Sequence, residues 1–85
     1  CVDSGATASA MYIAVNQESL KKDIARGEGE SLNGLSQVLK CEDSSKLNAT
    51  LQQNYSAIFT SSNVKSEEVN ANIQALINSN KELSG

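Results

Sequence analysis

Cys1 and Cys41 are the only cysteines in this chain, and they bracket the turn-rich stretch Asp23-Ile24-Ala25-Arg26-Gly27-Glu28-Gly29-Glu30. Paired, they would close a loop spanning 40 residues, a crosslink to which the chain-entropy argument assigns roughly 4 kcal/mol when the geometry is unstrained. A domain this small has use for such a staple. A chain of 85 residues buries only about two thirds of the surface it exposes when unfolded. Leu, Ile, Val and Phe together supply 19 of those residues, just above the roughly one-fifth share below which disorder sets in. A disulfide persists in an oxidising compartment, so the frame points away from the cytosol. Three other fates of the cysteines stay open on the sequence: two buried thiols, Cys1 paired with another chain, or a lipid-bearing Cys1 that leaves Cys41 free. A first residue of Cys rather than Met points to an upstream segment that has been removed.

The chain contains no proline, so glycines and polar caps must mark the helix ends. Leu47, Leu51, Tyr55, Ile58 and Phe59 fall on one helical stripe, and Val69, Ile73, Leu76, Ile77 and Leu83 on another, with Asn80 at the missing position. Asp43, Ser44 or Ser45 suits the N-cap of the first, and Ser66-Glu67-Glu68 the start of the second. Leu32, Leu35, Val38 and Leu39 share a face of a helix over 31–40. Leu20 and Ile24 share a face of a helix ending near Arg26, with Gly27 at the left-handed position beyond it. Met11, Ile13 and Val15 alternate like a strand, but no second strand exists to pair with them, so this segment also reads as helix. Asn16 is a candidate break. Asn70, Asn72, Asn78 and Asn80 read as a solvated amide face. The expectation is an all-α, single-domain bundle over residues 1–85 with four helices, or five if Asn16 divides the first, and one disulfide.

Asn16-Gln17-Glu18-Ser19-Leu20-Lys21-Lys22-Asp23-Ile24-Ala25-Arg26-Gly27-Glu28-Gly29-Glu30-Ser31-Leu32, followed by Leu35, Leu39 and Cys41, resembles the C-terminal half of a family of small exported proteobacterial proteins known only as a domain of unknown function. The resemblance covers roughly residues 1–59, with Asn54-Tyr55-Ser56 similar to the family's later helix. Its most specific part is the Ala-Arg-Gly-x-Gly-Glu turn. In the family a glycine- and threonine-rich region precedes the cysteine that matches Cys1; this sequence lacks it. Lys40 stands where the family pattern leads one to expect glycine, which bears on the local helix cap. The resemblance implies a periplasmic or exported location and no activity.

Several chemistries are excluded by absence. Without His, Ser-His-Asp and Cys-His sites and the commonest zinc ligand are gone. Two isolated cysteines make neither a Cys-x-x-Cys redox pair nor a four-cysteine metal site. No phosphate-binding loop is present, and Gly27-Glu28-Gly29 lacks the spacing of a dinucleotide motif. A net charge of -3 with dispersed basic residues, apart from Lys21-Lys22, argues against nucleic acid. No apolar run approaches the ~20 residues of a membrane span.

Two places remain as candidates for binding. Asp23, Arg26, Glu28 and Glu30 cluster at a helix junction. They either present carboxylates to a hard cation such as Ca²⁺ or, more plainly, match their charges to helix dipole ends. Tyr55 and Phe59, one helical turn apart, either line a ligand pocket or continue the core stripe. No catalytic residue, metal ligand or cofactor is assigned. The expectation is a non-enzymatic periplasmic or secreted binding module. Its partner would be an unidentified protein or envelope component, or a second copy of the chain. The alternatives are a structural C-terminal part of a larger exported protein and a small carboxylate- or metal-dependent hydrolase.

Overall fold

A computed structural model describes Cys1, residues 6–80 and Leu83, with side chains inside the first helix described from Ala8 onward. Five helices follow one another: α1 (Ala6–Arg26), α2 (Glu30–Val38), α3 (Ser44–Gln53), α4 (Tyr55–Ile58) and α5 (Ser66–Ser79). No strand occurs among the described residues. The apolar stripes converge: Ile13, Leu20 and Ile24 of α1, Leu32 and Leu35 of α2, Leu47 and Leu51 of α3, and Val69, Ile73 and Ile77 of α5 are all buried. Ile58, Phe59 and Leu83 complete this core. α1 is its central element and packs chiefly on α2 and α5. The alternation of Met11, Ile13 and Val15 resolves as a helix that turns Ile13 inward and leaves Met11 and Val15 exposed. No helix among the described residues is long and apolar enough to cross a membrane.

The two turns of the Cys1–Cys41 loop end their helices alike. Past α1, Glu28 N donates to Asp23 O (3.1 Å) and Gly27 N to Ile24 O (3.2 Å), with Gly27 at φ 81°. Past α2, Cys41 N donates to Ser36 O (2.9 Å) and Lys40 N to Gln37 O (3.1 Å), with Lys40 at φ 57°. Both are Schellman closures, which satisfy the last carbonyls of a helix through one left-handed residue. Glycine takes that conformation freely; Lys40 takes it against its own Cβ. The cap forms even without the expected glycine. It carries Cys41 to Cys1, and the two are joined in a disulfide. Both cysteines are half-buried against the core.

Two helical stretches are interrupted by asparagine. Asn16 leaves helical geometry inside α1 (φ -116°, ψ 20°). Asn54 does so between α3 and α4 (φ -113°, ψ 25°). The uninterrupted stripe expected from Leu47 to Phe59 is therefore two helices, the second a single turn. Asp43 caps α3, its Oδ1 accepting from Lys46 N at 3.1 Å. Glu67 and Glu68 occupy the first turn of α5, where negative charge is favoured.

One expectation about α5 is corrected. Asn70 does not belong to a solvated amide face. It is buried, and its Oδ1 accepts from Ser9 Oγ of α1 at 2.7 Å. Gln74 Nε2 donates to the same hydroxyl at 3.2 Å. A polar group so placed is tolerated because its partner is buried with it. Asn72 is also engaged, donating to Ile58 O at 3.1 Å. Asn80 ends α5 as its C-cap, and Leu83 N donates back to Asn80 O, which returns Leu83 to the core.

Candidate functional site

The Asp23–Glu30 turn is built around a carboxylate that faces inward. Asp23 is only 6% exposed. Its Oδ2 accepts from Ser31 N (2.8 Å) and Leu32 N (3.2 Å), and its Oδ1 from Arg26 Nη2 (2.7 Å). Ser31 and Leu32 carry two of the first-turn amides of α2 that no intrahelical carbonyl can reach. Gly29, the residue before α2, has no cap of its own. Asp23 supplies that cap from the preceding helix. Gly29 must be glycine for this: its φ is 143°, and a Cβ there would overlap the Asp23 carboxylate. Arg26 lies largely in solvent. Glu28 and Glu30 are exposed, Glu30 in the first turn of α2. Of these four residues the structure brings Asp23 and Arg26 into contact within α1, while Asp23 joins α1 to α2 through Ser31 N and Leu32 N.

Tyr55 and Phe59 form the other candidate. Their ring centroids are 5.1 Å apart with planes inclined at 39°. Phe59 is buried on its core side, and Tyr55 is half-buried against the same cluster. Outward, both face an open groove of about 580 Å³. The opposite wall is the middle of α1: Gln17, Glu18, Lys21, Lys22 and Ala25. Ser62 and Val64 of the α4–α5 connection also line it. The Lys21 ammonium stands 5.9 Å from the Phe59 ring centroid, within reach of a cation–π attraction. The α4–α5 connection is held in place by Gln17 Nε2 donating to Val64 O at 2.9 Å, and α4 by Asn72 donating to Ile58 O. The groove is thus preformed, as small-molecule sites generally are.

Both helical breaks deliver residues to it. Gln17 follows Asn16 and Tyr55 follows Asn54; each is the first residue past its break and each lines the groove.

A family model described as a protein of unknown function (DUF3015) matches residues 1–85. The chain belongs to this family. The resemblance read over residues 1–59 therefore holds at the level of an uncharacterised family, and the DUF3015 match extends it through α5. No curated protein and no solved structure matches the chain. In this DUF3015 domain the residues that sequence reasoning passed over are the α1 wall, Ser62 and Val64. Glu18, Lys21, Lys22 and Ala25 recur at helical spacing, and Lys21-Lys22 is the single basic pair singled out. Nothing local, however, tells that this face looks onto Tyr55 and Phe59.

Proposed function

We propose that the domain is a non-enzymatic binding module of the periplasm or the extracellular space, and that it takes its ligand in the groove between α1 and the α4–α5 connection. The observation that carries this reading is the Tyr55–Phe59 pair facing a preformed groove of about 580 Å³, a volume within the range of small-molecule sites. The Cys1–Cys41 bond supports an oxidising compartment. The non-enzymatic reading is supported by what the carboxylates do. Asp23 already accepts two capping hydrogen bonds and one from Arg26, and Glu28 and Glu30 sit in solvent on a turn, without the burial that sets acid and base apart.

A small fragment library observed by ¹H–¹⁵N NMR tests the groove. Shifts should gather on Lys21, Ala25, Tyr55 and Val64, and vanish in an Ala25→Trp variant whose new ring fills the space. Shifts gathered on residues 23–30 instead, or on none, would sink the reading. Intact mass with and without reductant, on protein from the native envelope fraction, tests the compartment. The oxidised chain should gain two hydrogens on reduction; two free thiols at the outset would refute it.

One observation favours a second reading, a structural part of a larger exported protein. Met11 and Val15 are 66% and 83% exposed one helical turn apart on α1, an apolar stripe of the kind that other chain segments cover.

A further inference from the structure

Resting on the groove as the binding site, we infer the class of its ligand: a small anion with a flat apolar body, an aryl or conjugated carboxylate or sulfonate, held without covalent chemistry.

The groove's charge runs against the rest of the molecule. The chain carries a net charge of -3, yet the charged groups lining the groove are two lysines, Lys21 and Lys22, and one carboxylate, Glu18. The excess of one positive charge sits on a wall facing aromatic rings, where the local dielectric is lower than in open water and each charge counts for more. Lys21 holds its ammonium 5.9 Å from the Phe59 centroid. An anion at the mouth meets that ammonium while its apolar body lies against the half-buried Tyr55 ring and the small part of Phe59 left exposed. A cationic ligand would meet two like charges instead. A purely aliphatic one would leave the lysines without a partner, and specificity of this kind comes from the groups a wrong ligand leaves unpaired. The lining holds no Cys and no His. The binding is reversible.

The test uses the full disulfide-bonded chain, three probes (1-naphthoate, 1-naphthylmethylammonium and acetate) and ¹H–¹⁵N NMR titration. Naphthoate should move the amides of Lys21, Ala25, Tyr55 and Val64, while acetate and the ammonium probe leave them in place. Lys21→Gln with Lys22→Gln should weaken naphthoate about tenfold, the scale of one lost ion pair in a partly dry site. Glu18→Gln should strengthen it several-fold. These opposite signs come from exposed or half-exposed side chains, and a circular dichroism spectrum confirms each variant's fold. Equal binding of the ammonium probe, or weakening by Glu18→Gln, would overturn the ligand class and leave the groove as a binding site. Acetate binding as tightly as naphthoate would overturn the apolar body. If no aromatic probe reaches the groove of the folded protein, the ligand class and the site fall together.

Discussion

Asn16 and Asn54 make the same break in two different helices. Their backbones sit at φ -116°, ψ 20° and φ -113°, ψ 25°. In each the side-chain amide donates to the carbonyl four residues back, Tyr12 O at 3.0 Å and Thr50 O at 2.8 Å. The Thr50 carbonyl also accepts the backbone N–H of Asn54 at 3.2 Å, so the asparagine amide is a second donor that ties the side chain back onto the preceding turn at the break. The two breaks aim Gln17 and Tyr55 at one groove. A bend fixed by its own hydrogen bond holds a site better than one left to solvent.

Asn54→Ala removes that donor. Either the bend persists with the Thr50 carbonyl less well satisfied, or the helix straightens and carries Ile58 and Phe59 away from their core positions. Both cost stability, by about 1–2 kcal/mol. The urea midpoint should fall, and Asn54→Asp, which keeps the shape without the donor, should fall with it. An unchanged midpoint in both would show that the amide is incidental.

Asp23 should matter far more than the residue it pairs with. Asp23→Ala leaves Ser31 N and Leu32 N without their acceptor at the start of α2, a loss of about 1–2 kcal/mol by analogy with other caps. Arg26→Ala removes a pair whose arginine side chain is 65% exposed, worth at most roughly 0.5 kcal/mol. Thermal or urea unfolding of the two variants checks the order. Equal losses would mean that the ion pair, rather than the cap, holds the α1–α2 turn.

The helical stripes were legible because a helix repeats its buried face every three to four residues, and that period does not depend on what it packs against. Gly27 was legible for the same local reason. Asp23 was not: its acceptor role depends on the chain doubling back through Gly27 and Gly29 until α2 begins directly in front of it. Asn70 was misread because its partner Ser9 is distant in sequence. The Tyr55–Phe59 half of the groove follows from i, i+4 spacing within one stretch of chain. The Lys21–Lys22 half is joined to it only by tertiary packing. The Asn54 break went unseen because an unbroken apolar stripe masks a single backbone residue that leaves the helix.

Lys40 holds a left-handed conformation at φ 57°, which costs an L-residue about 1 kcal/mol relative to glycine. Lys40→Gly should therefore raise stability by up to that amount. Lys40→Ala, which keeps the Cβ and removes the charge, should give no gain. Urea denaturation of the oxidised protein distinguishes them. A gain in the alanine variant as large as that in the glycine variant would assign the effect to charge and clear the backbone of strain.

Tyr12 links α1 to α2 through its hydroxyl, which donates to Ser31 O at 2.7 Å, and α2 comes so close at Gly34 that a Cβ there would overlap the phenol oxygen. Burial, and secondarily the negative charge of Asp23, raise the Tyr12 pKa above its ordinary value. The folded protein therefore keeps this proton at a pH where the unfolded chain begins to release it. The stability so contributed is complete below the unfolded-state value of about 10 and is lost as pH rises from there through the folded-state value. Tyr12→Phe removes the hydrogen bond, lowering stability by about 1 kcal/mol at neutral pH. It also removes this residue's share of the alkaline loss. Unfolding free energies measured for both proteins from pH 7 to pH 11 should therefore converge at the alkaline end. Parallel curves across that range would mean that Tyr12 ionises in the folded state as it does in the unfolded chain.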